Sequence, residues 1–187
     1  MKELSLNILD IAQNSVKAGA RHVGIHVREE GNVLSFEITD DGCGMKPEQV
    51  EKLVDPFFTT RTTRKVGLGI PFLKLAAEQS GGRIEVESRS REDFPENPGT
   101  RVFALFYKDS IDFTPMGDIA STLVSLIQGA DGIDYDFTWD NETGSARLST
   151  EEMREILGED TALSSPEVLA WAGEYISEQL EEIHANQ

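Results

Sequence analysis

Three short stretches between residues 10 and 70 carry side chains and glycines suited to handling phosphate and a nucleobase. The first is Asp10-Ile11-Ala12-Gln13-Asn14. Asp10 and Asn14 stand four apart, so on a helix they share one face. The amide oxygen of Asn14 suits a hard cation such as Mg2+. A carboxylate one turn away can take the proton of a water or hydroxyl attacking a phosphate. The second stretch is Asp40-Asp41-Gly42-Cys43-Gly44. Its glycines permit tight turns and close backbone approach to a ligand, and a carboxylate at a strand end can accept a hydrogen bond from an adenine amino group. The third is Gly67-Leu68-Gly69-Ile70. At a helix start, its backbone N–H groups and the helix dipole form an anion site. Ahead of it runs a basic, hydroxyl-rich segment holding Thr59, Thr60, Arg61, Thr62, Thr63, Arg64 and Lys65. Each stretch alone also has an ordinary reading: a polar helix stripe, a β-turn, a solvated loop.

Positioning these groups falls to elements legible in the hydrophobic periodicity. Leu4, Ile8, Ile11, Ala12 and Ser15 share one face and predict a helix over 4–18, closed by Gly19. Alternation of Val23, Ile25 and Val27, then of Leu34, Phe36 and Ile38, predicts two strands joined at Gly31-Asn32. A short helix with Pro47 early in it follows. A helix over 70–80, with Pro71 in its first turn, stops at Gly81-Gly82. Strands are expected over 83–88 and 100–107, the second apolar on both faces and therefore central. Further on, a helix over 117–128 precedes a hairpin of 133–139 and 145–148 turning at 141–144. Ser149 or Thr150 opens another element in the style of a capping box, and a last helix covers 166–184. Tyr135, Phe137 and Trp139 alternate on their strand and are read as core.

Charge divides the chain. Of its 34 acidic and 17 basic residues, residues 1–108 hold 16 and 15, while residues 109–187 hold 18 and only Arg147 and Arg154. This predicts two modules, with the rear one repelling nucleic acid and anionic membranes and attracting a basic protein surface. No run of residues reaches the ~18 apolar positions of a membrane span, the first residues lack a signal-peptide layout, and the one cysteine, Cys43, fits a reducing compartment. The expected location is the cytoplasm.

In this order the stretches resemble the GHKL superfamily of gyrases, histidine kinases, MutL-type repair proteins and related chaperones. The N-box is matched by residues 8–15, the G1 box by Asp40-Asp41-Gly42-Cys43-Gly44-Met45, and the F-box by Asp55-Pro56-Phe57-Phe58. The G2 box is matched by Gly67-Leu68-Gly69-Ile70, and Gly99-Thr100 opens the final strand. The resemblance implies an α+β fold: a two-layer α/β sandwich over residues 1–108 (the Bergerat ATP-binding fold), a mixed sheet with helices on one face. Residues 109–187 would add a small acidic α+β domain. It implies ATP and Mg2+ as ligands. Asn14 would hold the metal, Asp10 would stand where ATPase branches carry a general base, and Asp40 would read adenine. Gly42 and Gly44 would let the base approach, Gly67, Leu68 and Gly69 would form the phosphate loop, Arg61, Arg64 and Lys65 would meet the γ-phosphate, and Thr100 would lie near adenine.

The whole chain further resembles a small stand-alone group of histidine-kinase-like proteins of anaerobic bacteria, whose genes often adjoin those of iron-only hydrogenases. Residues 55–71 and Pro115-Met116-Gly117-Asp118 carry that likeness. The likeness implies a hydrogenase- or redox-linked protein partner. Histidine kinases phosphorylate their own histidine. Here the only histidines are His22 and His26, on the outer face of a strand, and His184 near the end, expected to fray. The expected activity is therefore γ-phosphoryl transfer to a partner protein. The alternatives are a slow ATPase switch and a non-catalytic nucleotide sensor, and a homodimer is a further expectation.

Overall fold

The structure is a computed structural model and describes residues 3–55, 69–129 and 131–185. In chain order the elements are α1 (Leu4–Lys17), β1 (His22–Glu30), β2 (Val33–Asp40), α2 (Pro47–Val54), α3 (Gly69–Gln79), β3 (Arg83–Arg89) and β4 (Gly99–Tyr107). Then come α4 (Ile119–Gly129), β5 (Asp134–Asn141), β6 (Gly144–Ser149), α5 (Thr150–Leu157) and α6 (Pro166–His184). The strands form one six-stranded sheet in the order β3-β4-β2-β1-β5-β6. Every neighbouring pair is antiparallel except β1 and β5. The sheet is mixed, and the fold is the α+β arrangement that the motifs imply.

Register sets the core. On the face toward the helices, Trp139, Val27, Phe36, Ala104 and Ile84 lie side by side across five strands. One step along, Phe137, Ile25, Ile38, Val102 and Val86 do the same. Phe36, Phe106 and Phe137 are fully buried, and each side chain of this size contributes ~1.5–3 kcal/mol by leaving water. The next row changes character: Tyr135 and Val23 continue it, but Asp40, Thr100 and Ser88 complete it. The inner face thus passes from apolar to polar at one end of β2, β4 and β3.

α1, α3, α4 and α6 cover that face. Leu4, Ile8, Ile11 and Ala12 of α1 are buried. Glu3 at its N-cap makes no side-chain cap. Instead the Leu4 and Ser5 N–H groups donate to the Pro115 and Met116 carbonyls at 2.9 and 2.8 Å. Two of the four donors that every helix start leaves open are therefore satisfied by chain from beyond residue 108. The composition changes at that residue, but the sheet and core run on: β5 lies parallel against β1, and Tyr135, Phe137 and Trp139 are core, as their alternation predicts. His184 is not frayed. Its ring packs edge-on to Trp139 at 5.0 Å, and its Nε2 lies 3.2 Å from Glu29 Oε2. No described helix is long and apolar enough to cross a membrane.

Candidate nucleotide-binding site

A cavity of about 360 Å3 opens between α1 and the polar end of the inner sheet face. Asp40 and Thr100 lie on the sheet side, Asn14, Ser15 and Lys17 on the α1 side, and Ile38, Val102, Ile70, Met45 and Leu53 add apolar walls. A mostly apolar cleft with a few convergent polar groups has the make-up of a small-molecule site.

The Asp40 carboxylate is fixed from two sides. Ser15 Oγ donates to its Oδ2 at 2.6 Å and the Gly42 N–H to its Oδ1 at 2.9 Å. An ionised carboxylate has about four acceptor positions, so capacity remains for a ligand donor. Thr100 is held in turn: its Oγ1 lies 2.7 Å from Ser88 Oγ, which also takes the Met45 N–H at 2.8 Å. Ser88 therefore ties β3, β4 and the loop after β2 together behind the cavity.

Asn14 lines the cavity one turn from Asp10, on the helix the sequence predicts. Asp10 is exposed and stands at the start of α3: a Cβ on Gly69 would lie 3.1 Å from Asp10 Oδ2. Asn7, a turn earlier and buried, donates from Nδ2 to the Gly69 carbonyl at 3.4 Å. One helix thus presents Asn7 and Asp10 to the beginning of α3 and Asn14 and Ser15 to the cavity.

The glycines of the loop after β2 have reasons of their own. Gly44 has φ 64°, and a Cβ there would lie 1.8 Å from the Arg89 carbonyl oxygen. On Gly42, a Cβ would lie 3.0 Å from Ala18 Cβ and 3.1 Å from Asp40 Oδ1. In this structure their small size serves the approach of loop to protein, namely the end of α1 and the end of β3. Asp41 points away from the cavity, its Oδ1 accepting the Arg21 and His22 N–H groups at 2.7 and 3.0 Å. Burial opposes its charge, but those N–H groups, with the nearby His22, outweigh burial and hold its carboxyl below the ordinary value. Cys43 is exposed and joins the loop to its surroundings through its backbone, to Ala18 and Arg91.

Of the residues singled out in the sequence, Asn14, Asp40, Gly44 and Thr100 line the cavity. Gly42 braces Asp40, and Asp10 and Gly69 meet beside the cavity's rim. Arg61, Arg64, Lys65, Gly67 and Leu68 lie outside the described residues, as do Phe57 and Phe58 of the F-box. Ser15, Lys17 and Ser88 were not singled out. The signal for Ser15 was its place one residue beyond Asn14 on a helix face otherwise apolar. Ser88 carried no local signal, since what matters is its place opposite Thr100 in the pairing of β3 with β4.

Residues 2–110 match the family described as Histidine kinase-, DNA gyrase B-, and HSP90-like ATPase, a match over more than half of the sequence. The chain belongs to this ATPase family. The residues that line the cavity all fall inside the matched stretch. Among relatives, the probable C4-dicarboxylate sensor kinase of Bacillus subtilis (strain 168) is 29% identical over 76 residues, 41% of this chain and 14% of that protein. The sensor histidine kinase ZraS of Escherichia coli (strain K12) is 30% identical over 84 residues, 44% of this chain and 18% of that protein. The chain thus spans a small fraction of the length of these kinases. Among solved structures, the N-terminal domain of a DNA repair protein aligns with a TM-score of 0.55 at 17% identity, covering 85% of this chain and 58% of that one. This is a likeness of fold alone. Its coverage exceeds residues 2–110, so part of the ATPase domain's extension beyond β4 belongs to the shared fold.

Proposed function

We propose that this ATPase-family chain binds Mg-ATP in the cavity and transfers the γ-phosphoryl group to a side chain of a partner protein. Asp40 reads the adenine amino group, with Ser15 and Gly42 holding its carboxylate in place. Mg2+ in phosphate sites rests on one or two protein groups together with phosphate oxygens and water. Asn14, whose amide borders the cavity beside Ser15, is the group that suits it. When bound, the ion neutralises charge developing on the phosphate oxygens. The start of α3 adds the partial positive charge of a helix N-terminus.

The observation that carries the reading is the exposed Asp10 carboxylate against Gly69, on the same helix as Asn14. A base there meets the acceptor's proton where the γ-phosphate would project. Its exposure also supports a second reading, hydrolysis, because water reaches the same carboxylate. Asp10→Asn separates binding from chemistry. ATP affinity is expected to stay within about twofold, while turnover falls by roughly 10²–10⁴, the usual worth of a general base. Turnover at the wild-type rate would remove Asp10 from the mechanism. Incubation with γ-labelled ATP and cell extract then decides the acceptor: a labelled protein band supports transfer, and free phosphate alone supports hydrolysis. The expected setting is the cytoplasm, with a hydrogenase- or redox-linked protein as the partner to try first.

A further inference from the structure

On α6, far along the sheet from the nucleotide cavity, Trp171 and Tyr175 stack on each other at 4.9 Å with planes 14° apart, while 47% and 42% exposed. The core does not use them. Val168, Leu169, Ala172, Ile176 and Ile183 supply the buried face of the helix. Trp171, Tyr175 and Glu182 fall on one line of the helix surface, and Glu167, Glu174 and Glu178 on the line beside it. All four of these glutamates are exposed, and none of them forms an ion pair among the described residues. The two arginines beyond residue 108 are engaged elsewhere: Arg147 with Glu152 and Arg154 with Asp134. An apolar plate with a row of uncompensated carboxylates along its edge is left facing solvent.

We propose that this face of α6 docks a basic, arginine-bearing segment of a partner protein. A guanidinium is flat and weakly hydrated. It can lie on an indole or phenol ring while its N–H groups reach a carboxylate beside the ring. An ammonium meets the carboxylate equally well but gains less from the ring plane. A second copy of this chain, itself at net charge −17, would bring carboxylates against carboxylates. The neighbouring edge of the sheet is closed to an added strand at its middle, because Gln179 takes both the N–H and the carbonyl of Arg147 on β6, each at 3.0 Å. A partner therefore meets the helix face and not the strand. This inference is independent of the phosphoryl-transfer reading.

The sequence has two tryptophans, and the other, Trp139, is buried. Trp139 is shielded from a bound peptide, so a change in emission on titration reports on Trp171. The probe is a synthetic peptide with arginines at i, i+4 spacing, titrated into the full chain beside the same peptide with lysine throughout. The arginine peptide is expected to quench or shift Trp171 emission at one-to-one stoichiometry, to bind about tenfold tighter than the lysine peptide, and to weaken as salt is raised. Trp171→Ala with Tyr175→Ala, read by calorimetry, should remove the preference for arginine. Glu167→Gln, Glu174→Gln and Glu178→Gln together should weaken both peptides. Equal binding of the two peptides, unaffected by the aromatic substitutions, would overturn the proposal in favour of plain attraction to an acidic surface. Self-association abolished by Trp171→Ala would overturn it in favour of a second copy, and absence of arginine-peptide binding at low salt would overturn it outright. Both aromatic residues are exposed, so the variants should fold, and circular dichroism checks that they do.

Discussion

Replacing Asp40 by asparagine tests the base-reading half of the site with one atom changed. The wild-type carboxylate already accepts from Ser15 Oγ at 2.6 Å and from the Gly42 N–H at 2.9 Å, and an adenine amino group would be a third donor. An asparagine side chain offers one acceptor oxygen and one donor NH2. If the oxygen stays on the Gly42 N–H, the NH2 turns toward Ser15, whose hydroxyl can rotate to accept it. The adenine amino group then faces a donor. The variant should fold while losing a charge-assisted hydrogen bond to the base, worth ~1.5–3 kcal/mol. That is a drop in affinity of roughly 10- to 150-fold. The loss should be equal for ATP, ADP and adenosine, because the contact is to the part they share. Titration calorimetry with all three ligands measures it. A loss confined to ATP would assign Asp40 to the phosphates, and unchanged affinity for all three would refute the reasoning that it reads the base.

Two other residues give expectations outside the cavity. Asp41, held below its ordinary value by the His22 and Arg21 N–H groups against the opposing effect of burial, stabilises the fold in its charged form. A depressed carboxylate gives stability that is complete above the unfolded value of about 3.9 and is lost as pH falls through the folded one. Urea melts of wild type and Asp41→Asn should thus show a constant gap at neutral pH that closes below about pH 4; a gap independent of pH would contradict this. Glu29 accepts from the Trp139 indole at 3.2 Å and faces His184 at 3.2 Å and Lys108 at 3.6 Å. Its side chain is only 12% exposed. Glu29→Ala leaves the buried Trp139 indole N–H without this acceptor and should cost ~1–3 kcal/mol, with Tm falling by roughly 2–4 °C per kcal/mol. An unchanged melting curve followed at tryptophan emission would show the cluster to be incidental.

How much of this was legible beforehand depends on the range of the signal. α1 and α6 follow from local periodicity and stops, so the sequence places them within a residue of Leu4–Lys17 and Pro166–His184. Asn14 and Asp40 carry rare enough chemistry in a recognisable order to be picked out. Ser15 and Ser88 do not, because serine is common and each acts by position. Ser15 matters because α1 crosses the end of β2, and Ser88 because β3 and β4 pair in the register that sets it beside Thr100. Registers of this kind join residues far apart in sequence and leave no local pattern. The parallel pairing of β1 with β5 is the extreme case. His22 meets Asp134 across more than a hundred residues, and nothing in either strand alone announces the other. The same pairing explains His184, which seemed free at a chain end until Trp139 and Glu29 were brought to it.

The acidic segment reaches the candidate nucleotide site through this geometry. Its carbonyls at Pro115 and Met116 cap the first turn of the helix that carries Asp10, Asn14 and Ser15. Thr122 of α4 donates to the Ser5 carbonyl of the same helix at 3.4 Å. From the other side, Tyr135 on β5 extends the row of residues that passes through Val23 to Asp40. α4 in turn packs on α6, where Val124 would lie 3.3 Å from a Cβ placed on Gly173. At that spacing a shift of α6 is not absorbed by slack between the helices. Packing therefore runs from the inner side of α6 through α4 to α1. Packed paths alone do not establish coupling, which needs an element with two states that both sites bias. Removing residues 109–187 would uncap α1 and strip β1 of a neighbour. The sharp change in charge at residue 108 is therefore not a break in the sheet, whose strands come from both sides of it.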